Sequence, residues 1–349
     1  MIYTTTIQTQ QNATPDLWDF LAPKRATTTL PFAQFKTVIV STDTMIPPDN
    51  LKVINNPQRY TKFKIQKHSG GYREILAPDD ELKKTQKELA HALQQHILPH
   101  NAAHAYTLGR SAKTAMLVHQ HNQSRWFLKL DIKDFFPSLT PSVVIPALIQ
   151  QSSVIQNTTP LYDIAKYAFY NNYLPQGAPT SPILSNLTLY EFDYVLTTTL
   201  PDLVENGVYT RYADDLTISA PNFFDYEKVT NRIDQLLRTY QLQLNYDKTK
   251  FQSSSGRNWT LGIMLNKDNN LTIGHVRKKK LKQNIYNLFK YYKNAITVKD
   301  NQEFYHAIAA LNGELSYFHQ IEPDYAAYVL TKYERQFNIT FKQIRKEVL

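Results

Sequence analysis

The stretch TRYADDLTIS, residues 210–219, folds two β-type runs about Ala213-Asp214-Asp215. Adjacent carboxylates at a hairpin turn repel one another, and the repulsion is costly unless a cation or strong hydrogen bonds compensate it. A third carboxylate, Asp131, ends the apolar run RWFLKLD, whose pattern predicts a strand that holds the acid rigidly at a sheet edge. Set side by side, Asp131, Asp214 and Asp215 make an oxygen-rich centre suited to a hard cation such as Mg²⁺. Two such ions activate an attacking hydroxyl and neutralise a leaving pyrophosphate.

The rest of the chain alternates around these acids. Residues 60–78 read as a hairpin about His68-Ser69-Gly70-Gly71, with strands near 61–67 and 72–76. A helix is expected from Asp80 to Ile97, with Leu82, Leu89, Leu93 and Ile97 at helical spacing and Asp79, Asp80 and Glu81 at its positive end. Further helices are predicted over 111–121, 141–151, 161–170, 183–200 and 225–241, short strands over 250–273, and helix from 276 onward. Residues 1 to about 55 are a mixed lead-in with one strand expected at 35–40. The order is α+β, not a Rossmann βαβ series.

Charge and composition narrow the chemistry. Thirty-nine Lys and Arg against thirty Asp and Glu leave +9 over 349 residues, a prior for a polyanionic partner. Residues 271–300 alone supply +7, from eight Lys and Arg against Asp300. There is no cysteine, which removes disulfides, thiolate nucleophiles and Cys-ligated metals. The N-terminus lacks the basic and apolar regions of a secretory signal, and no apolar run approaches a membrane span, so a cytoplasmic location is expected. His68, His91, His96, His100, His104, His119 and His121 lack metal-binding spacing and read as surface or hydrogen-bonded side chains.

In family order, five stretches resemble the bacterial retron-type and retron-like, antiviral defence-associated reverse transcriptases. They are GGYREILAPDDELKKTQKEL (70–89), AYTLGRS (105–111), LKLDIKDFFPSL (128–139), LPQGAPTSPILSNLTLYEFD (174–193) and TRYADDLTIS. LNGELSYFHQIEPDY (311–325) is similar to the end of that group. The resemblance implies a right-hand polymerase: a lead-in of unclear role over 1–59, fingers over 60–125, a palm of antiparallel sheet and helices over 126–273, and a helical basic thumb over 274–349. It implies RNA-directed DNA synthesis with two Mg²⁺ ions, Mn²⁺ being a substitute. Its partners would be an RNA template, deoxynucleoside triphosphates and the DNA product. A dedicated non-coding RNA and a protein effector or second subunit stay open.

Carried over residue by residue, Asp131, Asp214 and Asp215 would hold the metals. Arg73 would grip the incoming triphosphate, Phe136 would exclude a ribose 2′-hydroxyl, and Gln176 and Gly177 would touch nucleotide and template. Lys248, with Lys250 as alternative, would stand near the leaving phosphate. On the basic helix, at about 100° per residue, Lys278 and Lys282 share a face and Lys279 flanks it. All three are expected to contact phosphates, and Leu281, Ile285 and Leu288 to seat the helix. The family's Val-Thr-Gly triplet is absent where this chain reads Asn258-Trp259-Thr260-Leu261-Gly262. Two other readings are a template-independent or protein-primed DNA polymerase and an inert RNA-binding scaffold.

Overall fold

Alternating side chains in the first hairpin give β1 (Tyr60–Gln66) and β2 (Tyr72–Pro78), paired antiparallel with Ile65 opposite Arg73. Gly70 and Gly71 both take positive φ at its turn, a conformation that costs glycine little. The computed structural model describes residues 54, 56–66, 70–150, 161–253, 259–294 and 302–348. The lead-in strand at 35–40, His68, Ser69 and Asn258 lie outside them.

Helix α1 (Asp80–His96) starts where the Asp79 carboxylate accepts a hydrogen bond from the Leu82 N–H at 2.8 Å, the arrangement that stabilises a helix N-terminus. A Ser111–Thr114 capping box opens α2 (Ala112–His121). Then come β3 (Trp126–Asp131), the one-turn α3 (Phe135–Ser138), α4 (Pro141–Gln150) and α5 (Leu161–Tyr167). The single helix expected over 183–200 is two, α6 (Ser181–Thr188) and α7 (Tyr190–Thr199), broken at Leu189 with ψ 11°. At the break the Thr188 hydroxyl donates to the Leu184 carbonyl at 2.7 Å, a back-bond that bends helices.

The hairpin β4 (Val208–Tyr212) and β5 (Asp215–Ala220) leads to α8 (Tyr226–Thr239) and β6 (Lys250–Ser253). These strands form an antiparallel sheet in the order β4-β5-β3-β6. A smaller sheet follows, of β7 (Trp259–Thr260), β8 (Ile263–Leu265) and β9 (Leu271–Thr272). The chain continues in α9 (His275–Asn294), α10 (Gln302–Ile321), α11 (Pro323–Phe337) and α12 (Phe341–Val348). Among the described residues no helix is long and apolar enough to cross a membrane.

Strand alternation divides the four-stranded sheet between two cores. Leu128, Leu130, Leu216 and Ile218 point into the first, packed with α4 to α8. Phe127 points the other way into a second core, with Met116 of α2, Ile263 and Leu265 of β8, and the C-terminal helices. The C-terminal part of that second core begins at Ile263, ahead of the composition break at 274. Lys129 and Asp131 share the face of Phe127, so the acidic end of β3 opens towards the small sheet and the basic helices.

Candidate active site

The register of the central strands assembles the acidic centre. Asp131, last in β3, pairs directly with Asp215, first in β5. Asp214 lies in the two-residue turn, and its carbonyl accepts a hydrogen bond from the Ile132 N–H at 3.0 Å. Ala213, the other turn residue, has φ 58°, a left-handed backbone that costs an L-residue about 1–2 kcal/mol. Neighbouring structure must hold it there. The Arg211 guanidinium does so in part, reaching back to the Ala213 carbonyl at 3.4 Å.

Asp131 is buried, Asp214 half-buried and Asp215 open to solvent. Burial and the neighbouring charge of Asp131 raise Asp214 above the usual carboxylate range, with Lys248 and Arg73 pulling the other way. Asp215 is pushed up to about 6 by burial, then by Asp214 and Asp131; water reaches it, so screening tempers the shift. Lys248 donates to Asp131 Oδ1, and that bond raises the lysine. Its turn is clipped to β3 by the Asn245 N–H, which donates to the Asp131 carbonyl at 2.8 Å. Of the two lysines open from the sequence, Lys248 is the one that touches the acids, while Lys250 lies in β6 opposite Lys129.

A divalent cation fits this donor set. Asp131 helps to raise Asp214 and Asp215, and a cation relieves the same repulsion. Among the described residues no three His, Asp or Glu side chains stand together as a preformed ligand group, and Lys248 takes one Asp131 oxygen.

The remaining nucleotide-contact candidates lie around this centre. Arg73 on β2 is exposed and close enough to act on Asp214. Its neighbour Glu74 pairs with Lys62 at 3.5 Å. Gln176 and Gly177 lie in a loop docked on β2, the Gln176 carbonyl accepting from the Leu76 N–H at 2.8 Å. Gly177 has φ 120°, and an added Cβ would meet the Leu76 carbonyl oxygen at 2.7 Å. Size as well as backbone therefore requires glycine there. Phe136 is half-buried at the edge of the first core, its ring 6.5 Å from that of Tyr106.

Tyr106 is a site neighbour that sequence reasoning missed. It has φ 57°, and its hydroxyl is raised by burial, then by Asp214 and Tyr212. Also missed is the support behind the hairpin. Arg211 and Asp193 form a fully buried ion pair at 2.6 Å. The same guanidinium donates to Asn186 Oδ1 at 3.0 Å, and the Tyr209 hydroxyl donates to Asp193 at 2.8 Å. A charged residue in an otherwise apolar strand was the available signal. Across the sheet the Ser219 hydroxyl donates to Ser124, so it accepts from His119 Nδ1–H at 2.6 Å, leaving Nε2 to accept from Thr210 at 2.8 Å.

On α9 the apolar stripe Leu281, Ile285 and Leu288 is buried as expected, but its lysines differ from expectation. Lys278 is half-buried, pairs with Glu322 and lies 4.5 Å from the Tyr325 ring centroid. Lys282, also half-buried, sits 5.7 Å from the same ring. Both therefore share a face that lies beside α11, where Glu322 holds Lys278. Helix-face arithmetic could not see the packing partner. Lys279 and Lys280 are exposed.

Residues 65–282 match the family described as Reverse transcriptase (RNA-dependent DNA polymerase). The chain is 30% identical over 301 residues to the Retron Ec83 reverse transcriptase of Escherichia coli, covering 82% of this chain and 90% of that protein. The chain belongs to the reverse transcriptase family. The Retron Ec73 reverse transcriptase of Escherichia coli is 29% identical, with 81% and 89% covered. The Retron Mx65 reverse transcriptase of Myxococcus xanthus is 31% identical over 60% of this chain and 52% of its own. In this retron-type reverse transcriptase the family match spans the acidic strands and reaches into the first turns of the basic helix. Among solved structures, apo telomerase from Candida Tropicalis aligns at TM-score 0.45 and 12% identity, over 75% of this chain and 58% of that one.

Proposed function

We propose that this chain is the RNA-directed DNA polymerase of a bacterial antiviral defence system, acting in the cytoplasm on an RNA template and deoxynucleoside triphosphates. One observation carries the reading: Asp131 and Asp215 are register partners at the centre of a sheet, with Asp214 in the adjoining turn, in a chain of the reverse transcriptase family. The right-hand division follows, with fingers at 60–125, palm at 126–273 and thumb at 274–349.

Asp131, Asp214 and Asp215 would hold two Mg²⁺ ions, which when bound activate the 3′-hydroxyl and neutralise the leaving pyrophosphate. Arg73, exposed on β2 beside the docked Gln176–Gly177 loop, binds the triphosphate with its planar fork. Phe136 with Tyr106 walls the sugar side. Lys248 keeps its proton at Nζ because Asp131 raises it, which holds a positive charge where pyrophosphate departs. Lys279, exposed on the basic helix, contacts the duplex backbone.

The test is to sequence the nucleic acid that co-purifies with wild type and with the Asp214→Asn, Asp215→Asn variant. Wild type should carry an RNA and DNA complementary to it, the variant RNA alone. DNA without a complement in the RNA would favour untemplated synthesis, and equal DNA in both would remove the catalytic assignment.

A further inference from the structure

Two lysines in the catalytic sheet lie opposite one another with no acid between them. Lys129 of β3 and Lys250 of β6 are register partners, so their side chains leave the same face of the sheet. Like charges directly opposite on adjacent strands destabilise the pairing. Lys129 is half-buried and donates one of its hydrogens to the Trp259 carbonyl. Lys250 is exposed and makes no ion pair among the described residues.

The place of the pair suggests what compensates it. Lys129 lies two residues before Asp131 in the same strand, on the same face, about 7 Å along β3 at the strand rise. That is about two nucleotide rises along one strand of a duplex. A nucleic-acid strand whose 3′ end lies at Asp131 and Asp215, and which runs back over β3 towards Trp259, therefore brings a phosphate over the two ammonium groups. We propose that Lys129 and Lys250 form a seat for a backbone phosphate of the strand being extended, near its second linkage from the 3′ end. Lys129, anchored on Trp259, fixes the position, and Lys250 supplies the mobile second charge. The proposal rests on the polymerase reading above, because it takes the 3′ end to lie at the aspartates.

The probe is a primed RNA template in which single primer linkages carry uncharged methylphosphonates, bound to wild type and to Lys250→Ala across a range of salt. In wild type a methylphosphonate at the second linkage, or its immediate neighbour, should weaken binding several-fold more than one placed six linkages back. In Lys250→Ala the salt slope should fall by about one, and the same methylphosphonate should cost almost nothing further. Without nucleic acid, Lys250→Ala should melt at or above the wild-type temperature, because like-charge repulsion is relieved; a folding defect would lower it. An unchanged slope, with linkage effects as large as in wild type, would overturn the phosphate seat while leaving the polymerase reading intact. Failure of wild type to bind or extend any primed template would instead remove the reading on which the seat depends.

Discussion

The buried Arg211–Asp193 pair should be the most sensitive point behind the catalytic hairpin. Both side chains are fully buried, and the guanidinium is engaged on three sides: Nε to Asp193 Oδ1 at 2.9 Å, one terminal nitrogen to Asp193 Oδ2 at 2.6 Å, the other to Asn186 at 3.0 Å. Asp193→Ala would leave a buried cation with only neutral acceptors, Asn186 and the Ala213 carbonyl, and deprive the Tyr209 hydroxyl of its acceptor. Breaking a buried pair by removing one member costs about 3–5 kcal/mol, a large part of the roughly 5–15 kcal/mol that holds an ordinary domain folded. Asp193→Leu with Arg211→Met removes both charges together and should cost well under the sum of the singles. Urea unfolding followed by fluorescence of the three tryptophans reads the cycle. Because Arg211 also reaches the Ala213 carbonyl, the double variant should fold yet polymerise poorly, its turn released. Singles costing less than about 1 kcal/mol, or fully additive changes, would refute the reasoning.

Three further outcomes follow from the geometry. His119 is pushed down to about 3 by burial, then by His104 and Lys129. The unfolded chain therefore takes up a proton near the ordinary histidine value that the folded protein refuses, and stability present at pH 8 is lost as pH falls through 6.5. From pH 8 to pH 5 that is about 2 kcal/mol, so His119→Asn should lose about that much less than wild type in urea midpoints taken at the two pH values; equal losses would contradict it. Gly177→Ala forces a Cβ against the Leu76 carbonyl oxygen at 2.7 Å in a positive-φ backbone. It should cost about 1–3 kcal/mol and raise KM for deoxynucleotides as the loop lifts from β2, and an unchanged KM with unchanged stability would refute the close approach. Phe136→Ala should raise ribonucleotide use relative to deoxynucleotide use in the ratio of kcat/KM values, and an unchanged ratio would assign the ring to the core.

What was legible in the sequence was local. The apolar run into Asp131, the alternation either side of Asp214-Asp215 and the glycine turn of the first hairpin each declare an element from neighbouring residues, and the helix beginning at Asp80 followed from apolar spacing and the acids at its positive end. The stripe Leu281, Ile285 and Leu288 predicts which face of α9 is buried, because periodicity reports a helix's own faces. It does not report the opposing element, so Lys278 read as free although Glu322, 44 residues on, holds it. The same limit hid the polar support of the site. His119 meets Ser219 and Thr210 across 100 and 91 residues, and Arg211 meets Asp193 across 18. A charge inside an apolar strand shows that a partner exists without showing which. The break at Leu189 was hidden for another reason, since a threonine back-bond competes with the helix and leaves its apolar period intact.

Catalysis is assigned to the three aspartates, and primer extension tests them most directly. Wild type, Asp131→Ala and Asp214→Ala should be given a primed RNA template, deoxynucleotides and Mg²⁺, with thermal unfolding of each protein free of metal and nucleic acid measured alongside. Wild type should extend the primer with the complement of the template, and both variants should lose extension while melting at or above the wild-type temperature, since removing one carboxylate relieves repulsion at Asp215. Extension by either folded variant at the wild-type rate would contradict the assignment of the catalytic centre.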